Sequence, residues 1–151
     1  MISIRRVDPG EADKLTQLAL AAKSHWGYPQ HWMKLWTPQL TFNASYFEAN
    51  ESWAAEVDGR PVAFYTLLDK DGTAWLENLW VLPGYMSMGI GRALFQHAIQ
   101  LASLRGYKIF QLEADPNAAG FYGKMGMHKI AERKYEINGQ PRVLPLMEMK
   151  L

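Results

Sequence analysis

The sequence predicts an α+β fold, with a mixed, mostly antiparallel sheet, one central β-α-β crossover and helices on both faces. Three apolar runs in the middle of the chain are joined by two Asp-Gly turns, which is the pattern of consecutive antiparallel strands. The apolar spacing then becomes helical and is followed by one more strand-like run. Two strands joined through a helix are normally parallel neighbours, so the crossover lies inside the sheet.

The first third of the chain predicts one strand and several helices. "ISIRRV" alternates apolar and polar residues, which predicts a strand at about 2–7. Turn residues follow, and then apolar residues at helical spacing predict a helix that runs to about Lys23. The apolar positions of that helix are Leu15, Leu18, Ala19 and Ala22. Gly27 and Pro29 interrupt the chain before a short helix, and a further helix is expected at about 41–49.

The rest of the chain supplies the sheet and its crossover. Three antiparallel strands are predicted at about 52–57, 61–68 and 73–82. A helix then begins at Ile90 and stops at Gly106, with one apolar face. That face is formed by Leu94, Ala98, Leu101 and Leu104. The remaining predictions are a strand at 107–114, a short helix within "DPNAAGFYGKMGM", and two last strands near 128–136 and 143–150.

Composition limits the possible functions. The chain has 151 residues, 48% of them hydrophobic, so we expect one domain over residues 1–151. The net charge is +1 without a basic stripe, which argues against nucleic acid as the main partner. There is no cysteine, and the four histidines are dispersed, so a metal site is not expected. No apolar run is long enough for a membrane span or leader, so a cytoplasmic protein is expected.

A glycine-containing loop, "VLPGYMSMGIGRALF" at residues 81–95, predicts either an anion site or a tight turn. It lacks the Lys of a Walker loop, the spacing of a dinucleotide-binding turn, and the first Gly of a hydrolase elbow. The backbone N–H groups from about Ser87 to Arg92 nevertheless precede or open a long helix, where unpaired donors and the helix dipole favour an anion. The glycines would let a diphosphate approach the backbone, or they serve only the turn and helix packing.

Two spaced motifs resemble the GNAT superfamily, the acyl-CoA-dependent N-acetyltransferases. The first is "LWVLPGYMSMGIGRALF", which matches the family's Val-x-Pro strand end and its Gly-x-Gly loop at Val81, Pro83, Gly89 and Gly91. The second is "EADPNAAGFYGKMGM", which is similar to the family segment that carries Phe-Tyr and Met-Gly. The order of elements also agrees from Ile2 to the last strand, so the resemblance covers essentially the whole chain.

The resemblance implies acetyl-CoA as co-substrate and no metal. Its diphosphate is expected on the loop, and its pantetheine arm along the strand edge, between the two parallel strands where they splay apart. The implied cofactor-binding residues are Leu79, Trp80, Val81, Met86, Ser87, Met88, Gly89, Ile90, Gly91, Arg92, Asn117 and Tyr122. The chain departs from the family at Met86, where Arg or Gln is usual, and at Met88, where a basic residue is frequent. The backbone donors do not depend on either side chain.

Acetyl transfer to an amine needs a proton donor for the leaving thiolate and a means of deprotonating the ammonium. The resemblance points to Tyr122 as the donor, although Phe121-Tyr122 could simply pack the short helix on the sheet. Glu77 and Glu113 are the candidate bases, and ordered water is the alternative. Glu77 is predicted to alternate in phase with Trp75, Leu79 and Val81, on one face of the strand.

The acceptor site is the least defined part of the prediction. Trp26, Tyr28 and Trp32 lie where the family usually builds the acceptor wall, and aromatic rings suit an amine through packing and cation–π contacts. The same spacing is also typical of core aromatics. Asn117 either contacts the cofactor or caps the short helix.

Two functions remain open from the sequence. The first is an N-acetyltransferase that moves an acetyl group to a primary amine of a small molecule or peptide by direct attack. The second is a catalytically weak or inactive CoA-binding or protein-interaction module on the same fold, which the two loop methionines would favour. A homodimer is possible, and a Rossmann-type dehydrogenase is excluded by the motif spacing.

Overall fold

The computed structural model describes residues 2–151, and the predicted order of elements is confirmed there. The helices are α1 (Ala12–Ser24), α2 (Gln30–Trp36), α3 (Ala44–Ala49), α4 (Ile90–Leu104) and α5 (Ala119–Lys124). The strands are β1 (Ile2–Arg6), β2 (Ser52–Val57), β3 (Arg60–Lys70), β4 (Thr73–Val81), β5 (Ile109–Glu113), β6 (His128–Ile137) and β7 (Gln140–Lys150).

The strands form one sheet in the order β1-β2-β3-β4-β5-β7-β6. The β2–β3 hairpin closes through Asp58-Gly59, both with positive φ (51° and 77°), as a type I′ turn requires. All adjacent pairs are antiparallel except β4 and β5, which are parallel and joined through α4. This confirms the central crossover in a mostly antiparallel sheet.

Helices cover both faces of the sheet, as predicted. On one face, α4 and α5 pack over a core that includes Tyr65, Phe95 and Phe110, all fully buried. On the other face, α1 and α3 pack over a second core that includes Leu15 and Phe64. Alternate residues of β3 therefore serve opposite cores, as the two-residue period of a strand requires.

The apolar face predicted for α4 is correct except at its last residue. Ile90, Leu94, Phe95, Ala98 and Ala102 are buried on this helix. Leu104 is 86% exposed, so its assignment to the buried face was wrong. It lies in the last turn, beyond the edge of the sheet core.

The helix stops at Gly106, as predicted, because Gly106 takes the left-handed conformation with φ of 86°. The N–H of Tyr107 then donates to the Ala102 carbonyl at 3.1 Å, which completes the helix terminus. Tyr107 is thus used by the turn, and β5 begins at Ile109 rather than at the predicted residue 107. Within residues 2–151 there is no helix both long and apolar enough to cross a bilayer.

Candidate active site

The parallel strands β4 and β5 pair over only two positions before they separate. Ala74 lies opposite Phe110 and Trp75 opposite Gln111, and the following residues of the two strands are unpaired with each other. On its other side β4 stays paired with β3 as far as Val81. The gap between the strands is therefore the splayed region expected from the sequence.

A β-bulge at Glu77 accompanies this separation. Leu67 of β3 lies opposite Leu76, whereas Thr66 lies opposite Asn78, so Glu77 has no partner on β3. An extra residue of this kind bends a strand and increases its local twist. The bend turns the end of β4 away from β5.

The bulge also changes which side chains share a face, so the predicted phase of Glu77 is correct relative to Trp75 and wrong relative to Leu79 and Val81. Leu79 and Val81 pack with the core under α4. Glu77 instead lies on the face of Trp75, whose indole N–H donates to its Oε2 at 2.8 Å. The carboxylate is therefore exposed on the α1 side of the sheet, and does not lie on an apolar face.

The gap opens into a cavity of about 370 Å³ that reaches both faces of the sheet. The strands contribute Leu76, Glu77, Leu79, Trp80, Val81, Leu112 and Glu113. The glycine loop and the start of α4 contribute Met86, Ser87, Gly89, Gly91 and Arg92. The remaining walls are Ala22 and Trp26 on the α1 side, and Asp115, Ala118, Phe121 and Tyr122 after β5.

The loop presents a run of unpaired backbone donors to this cavity. Ser87 and Gly89 both have positive φ (66° and 80°), which winds the chain tightly before α4. The first helical bond is from the Ala93 N–H to the Gly89 carbonyl, at 3.0 Å. Within residues 2–151, no acceptor is found for the N–H groups of residues 87–92. Consecutive free N–H groups at a helix N-terminus form an anion-binding concavity.

The side chains of the loop divide into those that face the cavity and those that do not. Met86 and the exposed Arg92 line it, whereas Met88 is 65% exposed and lies outside. The Ile90 side chain is buried in the core, so only its backbone is available to a ligand. A Cβ on Gly91 would meet Val81 and Phe121 at 3.6 Å, an ordinary contact, so close packing does not by itself require glycine there.

Tyr122 lies on α5 with its side chain almost wholly buried at 8% exposure, and it lines the cavity. Its ring packs against Phe95, 5.8 Å between centroids. Within residues 2–151 its hydroxyl has no hydrogen-bond partner. Burial, with a smaller contribution from the charge of Asp115, raises the pKa of Tyr122 above its ordinary value. The phenol is thus a protonated donor without an acceptor.

Glu113 is the second carboxylate at the end of the gap. It lies at the end of β5, and the Tyr135 hydroxyl donates to its two oxygens at 2.8 and 2.7 Å. Tyr135 is brought there by the β6–β7 hairpin, in which it lies opposite Arg142. Glu77 and Glu113 both line the cavity, so the structure brings the two predicted bases to one site.

A buried charge cluster lies behind the cavity wall and centres on Asp115. Lys23 donates to Asp115 Oδ2 at 2.6 Å and Arg142 to the same oxygen at 3.3 Å. The Tyr28 hydroxyl also donates to this carboxylate, at 2.9 Å. Burial alone would raise the pKa of Asp115, but the hydrogen bonds and the Lys23 charge outweigh it and hold that pKa below its ordinary value.

The cations of this cluster are held by aromatic rings as well as by the carboxylate. Lys23 Nζ lies 4.3 Å from the centre of the Trp36 ring, and the Arg142 guanidinium carbon lies 4.7 Å from it. Burial lowers the pKa of Lys23 despite the ion pair with Asp115. Sequence reasoning missed this cluster, because Lys23, Asp115 and Arg142 are far apart in the chain.

The predicted acceptor aromatics are only partly at the cavity. Trp26 lines it and is 42% exposed, in the loop after α1. Tyr28 and Trp32 stack on each other, with centroids 6.1 Å apart, and do not line it. Asn117 also lies outside. Its amide donates to the Tyr28 hydroxyl at 2.9 Å, and no side chain caps α5.

Comparison with known proteins assigns this arrangement to a family. Residues 13–127 match the model of the acetyltransferase (GNAT) family. The chain belongs to the GNAT family. The match covers β4, the glycine loop and the Tyr122 helix, so the resemblance found in the sequence is confirmed.

Solved GNAT structures share the whole fold. A GCN5-related N-acetyltransferase from Rhodopseudomonas palustris superposes with a TM-score of 0.84 at 24% identity, covering 99% of this chain and 95% of that one. The PaiA N-acetyltransferase of Thermoplasma acidophilum, solved in complex with coenzyme A, gives 0.80 at 19% identity, covering 100% and 99%. At these identities the likeness establishes the GNAT fold.

The curated relatives match over shorter stretches. BSU40680 of Bacillus subtilis (strain 168), a provisionally assigned acetyltransferase, is 31% identical over 72 residues, 48% of each chain. The matched region therefore spans about half the length of this relative.

Proposed function

We infer that this protein is an N-acetyltransferase, which moves an acetyl group from acetyl-CoA to a primary amine by direct attack. One observation carries the proposal: the run of free N–H groups at residues 87–92 and the unpartnered hydroxyl of Tyr122 open into the same cavity. The transfer requires a site that holds the diphosphate of the acetyl donor and a proton donor for the leaving thiolate, and the gap between β4 and β5 joins the two. Membership of the GNAT family supports it.

The loop would hold the diphosphate of acetyl-CoA, and the gap would hold its pantetheine arm. Acetyl-CoA supplies the thioester carbonyl that the amine attacks and the thiolate that leaves. The Leu82 N–H donates to Val62 of β3, so strand alternation turns the N–H groups of Leu79 and Val81 towards the gap. One of these N–H groups is suited to stabilise the oxyanion of the tetrahedral intermediate.

The cavity residues would then complete two proton transfers. Glu77 is exposed and faces the α1 side, where it can accept the ammonium proton directly or through water. The amine attacks the carbonyl carbon, the C–S bond breaks, and Tyr122 donates a proton to the departing sulfur. Its raised pKa keeps Tyr122 protonated until that step.

The first test is thermal unfolding with and without acetyl-CoA, with NAD and ATP as controls, followed by thiol release with a panel of amines. At about 100 times Kd a ligand adds roughly 2.7 kcal/mol, which should raise Tm by about 5–10 °C. A rise with acetyl-CoA alone and thiol release with an amine would support the transferase. A rise without thiol release would favour a catalytically inactive CoA-binding module, and no rise would contradict the transferase and favour a protein-interaction module.

Met86→Arg is expected to tighten acetyl-CoA binding about three- to tenfold, because the added cation would attract the diphosphate that the unpaired loop donors hold. An exposed or half-buried ion pair contributes about 0–1 kcal/mol, and a better-formed one somewhat more. Calorimetric titration at low and high salt checks this, since the gain should shrink with screening. Leu104→Arg adds the same charge at the far end of α4 and should not change Kd.

Glu77→Gln is expected to lower kcat/KM about tenfold near pH 7 while leaving the Kd of acetyl-CoA unchanged. General base catalysis is typically worth about 10²–10⁴, but water can replace an exposed carboxylate in part. The pH dependence of kcat/KM checks this assignment. If the variant and the wild type give the same profile and rate, Glu77 is not the base and water or Glu113 takes its place.

A further inference from the structure

Two carboxylates in the cavity have no cationic partner. Glu77 and Glu113 both line it, and within residues 2–151 neither forms an ion pair. The third carboxylate of the lining, Asp115, is already paired with Lys23 and Arg142. The three carboxylates and these two cations leave an excess of one negative charge in this part of the cavity, where neither Glu77 nor Glu113 has an ion-pair partner.

The two carboxylates are held in place by neutral donors. Tyr135 donates to both oxygens of Glu113, and the Trp75 indole N–H donates to Glu77 at 2.8 Å. The hydrogen bond to Glu113 raises the pKa of Tyr135 most, burial adds to it, and the charge of Glu77 contributes as well. Strand alternation places the two carboxylates on one side of the sheet, because Leu112 packs in the core under α4 and the neighbouring Glu113 therefore faces the α1 side, as Glu77 does.

A separate observation indicates that this cavity holds a ligand. Tyr122 is only 8% exposed, and its hydroxyl is directed into this cavity without a partner among residues 2–151. Trp26, 42% exposed, and Trp80 add apolar wall on the same side as Glu77. The α1 side of the cavity therefore combines an apolar wall with two carboxylates that have no ion-pair partner.

We propose that the acceptor is a flexible aliphatic amine with a second positive charge, as in a short diamine or polyamine. This rests on the proposed transferase function. The reacting amine would lie between Glu77 and the gap, and the distal ammonium would pair with Glu113, which Tyr135 holds in position. The distal ammonium keeps its proton, so the acetyl transfer itself is unchanged.

A carboxylate-bearing acceptor fits the charges less well. It would need Lys23 or Arg142 as its partner, and neither cation lines the cavity. Both are directed to Asp115 and lie over the Trp36 ring, at 4.3 and 4.7 Å. Arg92, the cation that does line the cavity, lies in the first turn of α4, the helix that covers the other face of the sheet.

The test compares three acceptors of equal chain length by calorimetry, with and without CoA: butane-1,4-diamine, butan-1-amine and 4-aminobutanoate. We expect the diamine to bind about tenfold more tightly than the monoamine, equivalent to about 1.4 kcal/mol. Glu113→Gln should bring that ratio close to one. Glu136→Gln removes a charge from the opposite face of the same β6 strand and should leave the ratio unchanged.

The outcomes separate this inference from the transferase itself. Equal affinity for diamine and monoamine, or tighter binding of the amino acid, would overturn the dication preference, even if all three acceptors released thiol. Tenfold tighter diamine binding without thiol release would retain the preference and reject the transferase. Unchanged Tm in both variants would show that the ratios do not reflect unfolding.

Discussion

Replacing Tyr122 with phenylalanine is expected to lower kcat about 100-fold and to leave the Kd of acetyl-CoA almost unchanged. The hydroxyl belongs to a largely buried side chain and is an unpartnered donor at the cavity, and positioned acid catalysis is typically worth about 10²–10⁴. The ring remains and keeps its contact with Phe95, so the fold should persist. Steady-state kinetics and calorimetric titration with acetyl-CoA measure the two quantities.

The pH dependence adds a second readout. Because burial raises the pKa of Tyr122, the phenol stays protonated past pH 10, and wild-type kcat should not fall through its ionisation below that pH. Tyr85→Phe is a matched control, since Tyr85 lies at the same glycine loop but does not line the cavity. If Tyr122→Phe retained more than half of the wild-type kcat, the residue would be a packing element, the other interpretation that the sequence allowed.

Asp115→Asn is expected to lower the free energy of unfolding by about 3 kcal/mol, the lower end of the cost of breaking a buried ion pair. The asparagine would still accept bonds from Tyr28, but Lys23 and Arg142 would lose their counter-charge. The side chains of Lys23 and Arg142 are only 10% and 12% exposed, so water cannot fully replace the lost counter-charge. For a domain of this size the loss corresponds to a Tm about 10 °C lower, measurable by calorimetry.

This stabilisation should depend on pH in a defined direction. The pKa of Asp115 is lowered in the folded state, so its contribution is fully present above the unfolded value of about 3.9 and is lost as the pH falls through the folded pKa. The difference between wild type and Asp115→Asn should therefore shrink in strong acid. Glu132→Gln breaks an exposed pair with Lys129 and should leave Tm unchanged. If Asp115→Asn had the same Tm as the wild type, water would be replacing the lost counter-charge around Lys23 and Arg142.

The same cluster has a consequence for the acceptor end of the cavity. Lys23 lies in the last turn of α1 and Tyr28 follows the helix, so Asp115 ties both ends of the loop that carries Trp26 to the segment after β5. Asp115→Asn should accordingly raise KM for the amine more than Kd for acetyl-CoA.

The sequence by itself determined the order of the elements, the crossover and the position of the glycine loop before α4. Each depends on local chemistry: Asp58-Gly59 sets a hairpin turn, Gly106 ends α4, and the free donors follow from Gly89 before a helix start. The GNAT motifs around Gly89 and Tyr122 were recognisable because each lies within one short segment of the chain.

Only the tertiary structure decided the rest of the site. A one-residue bulge at Glu77, set by pairing with β3, moved that carboxylate to the face opposite Leu79 and Val81. Lys23, Asp115 and Arg142 meet because α1, β5 and β7 converge, and no spacing within one segment encodes that contact. Tyr135 likewise reaches Glu113 only through the register of the β6–β7 hairpin. Side chains brought together by long-range pairing leave no local pattern to detect.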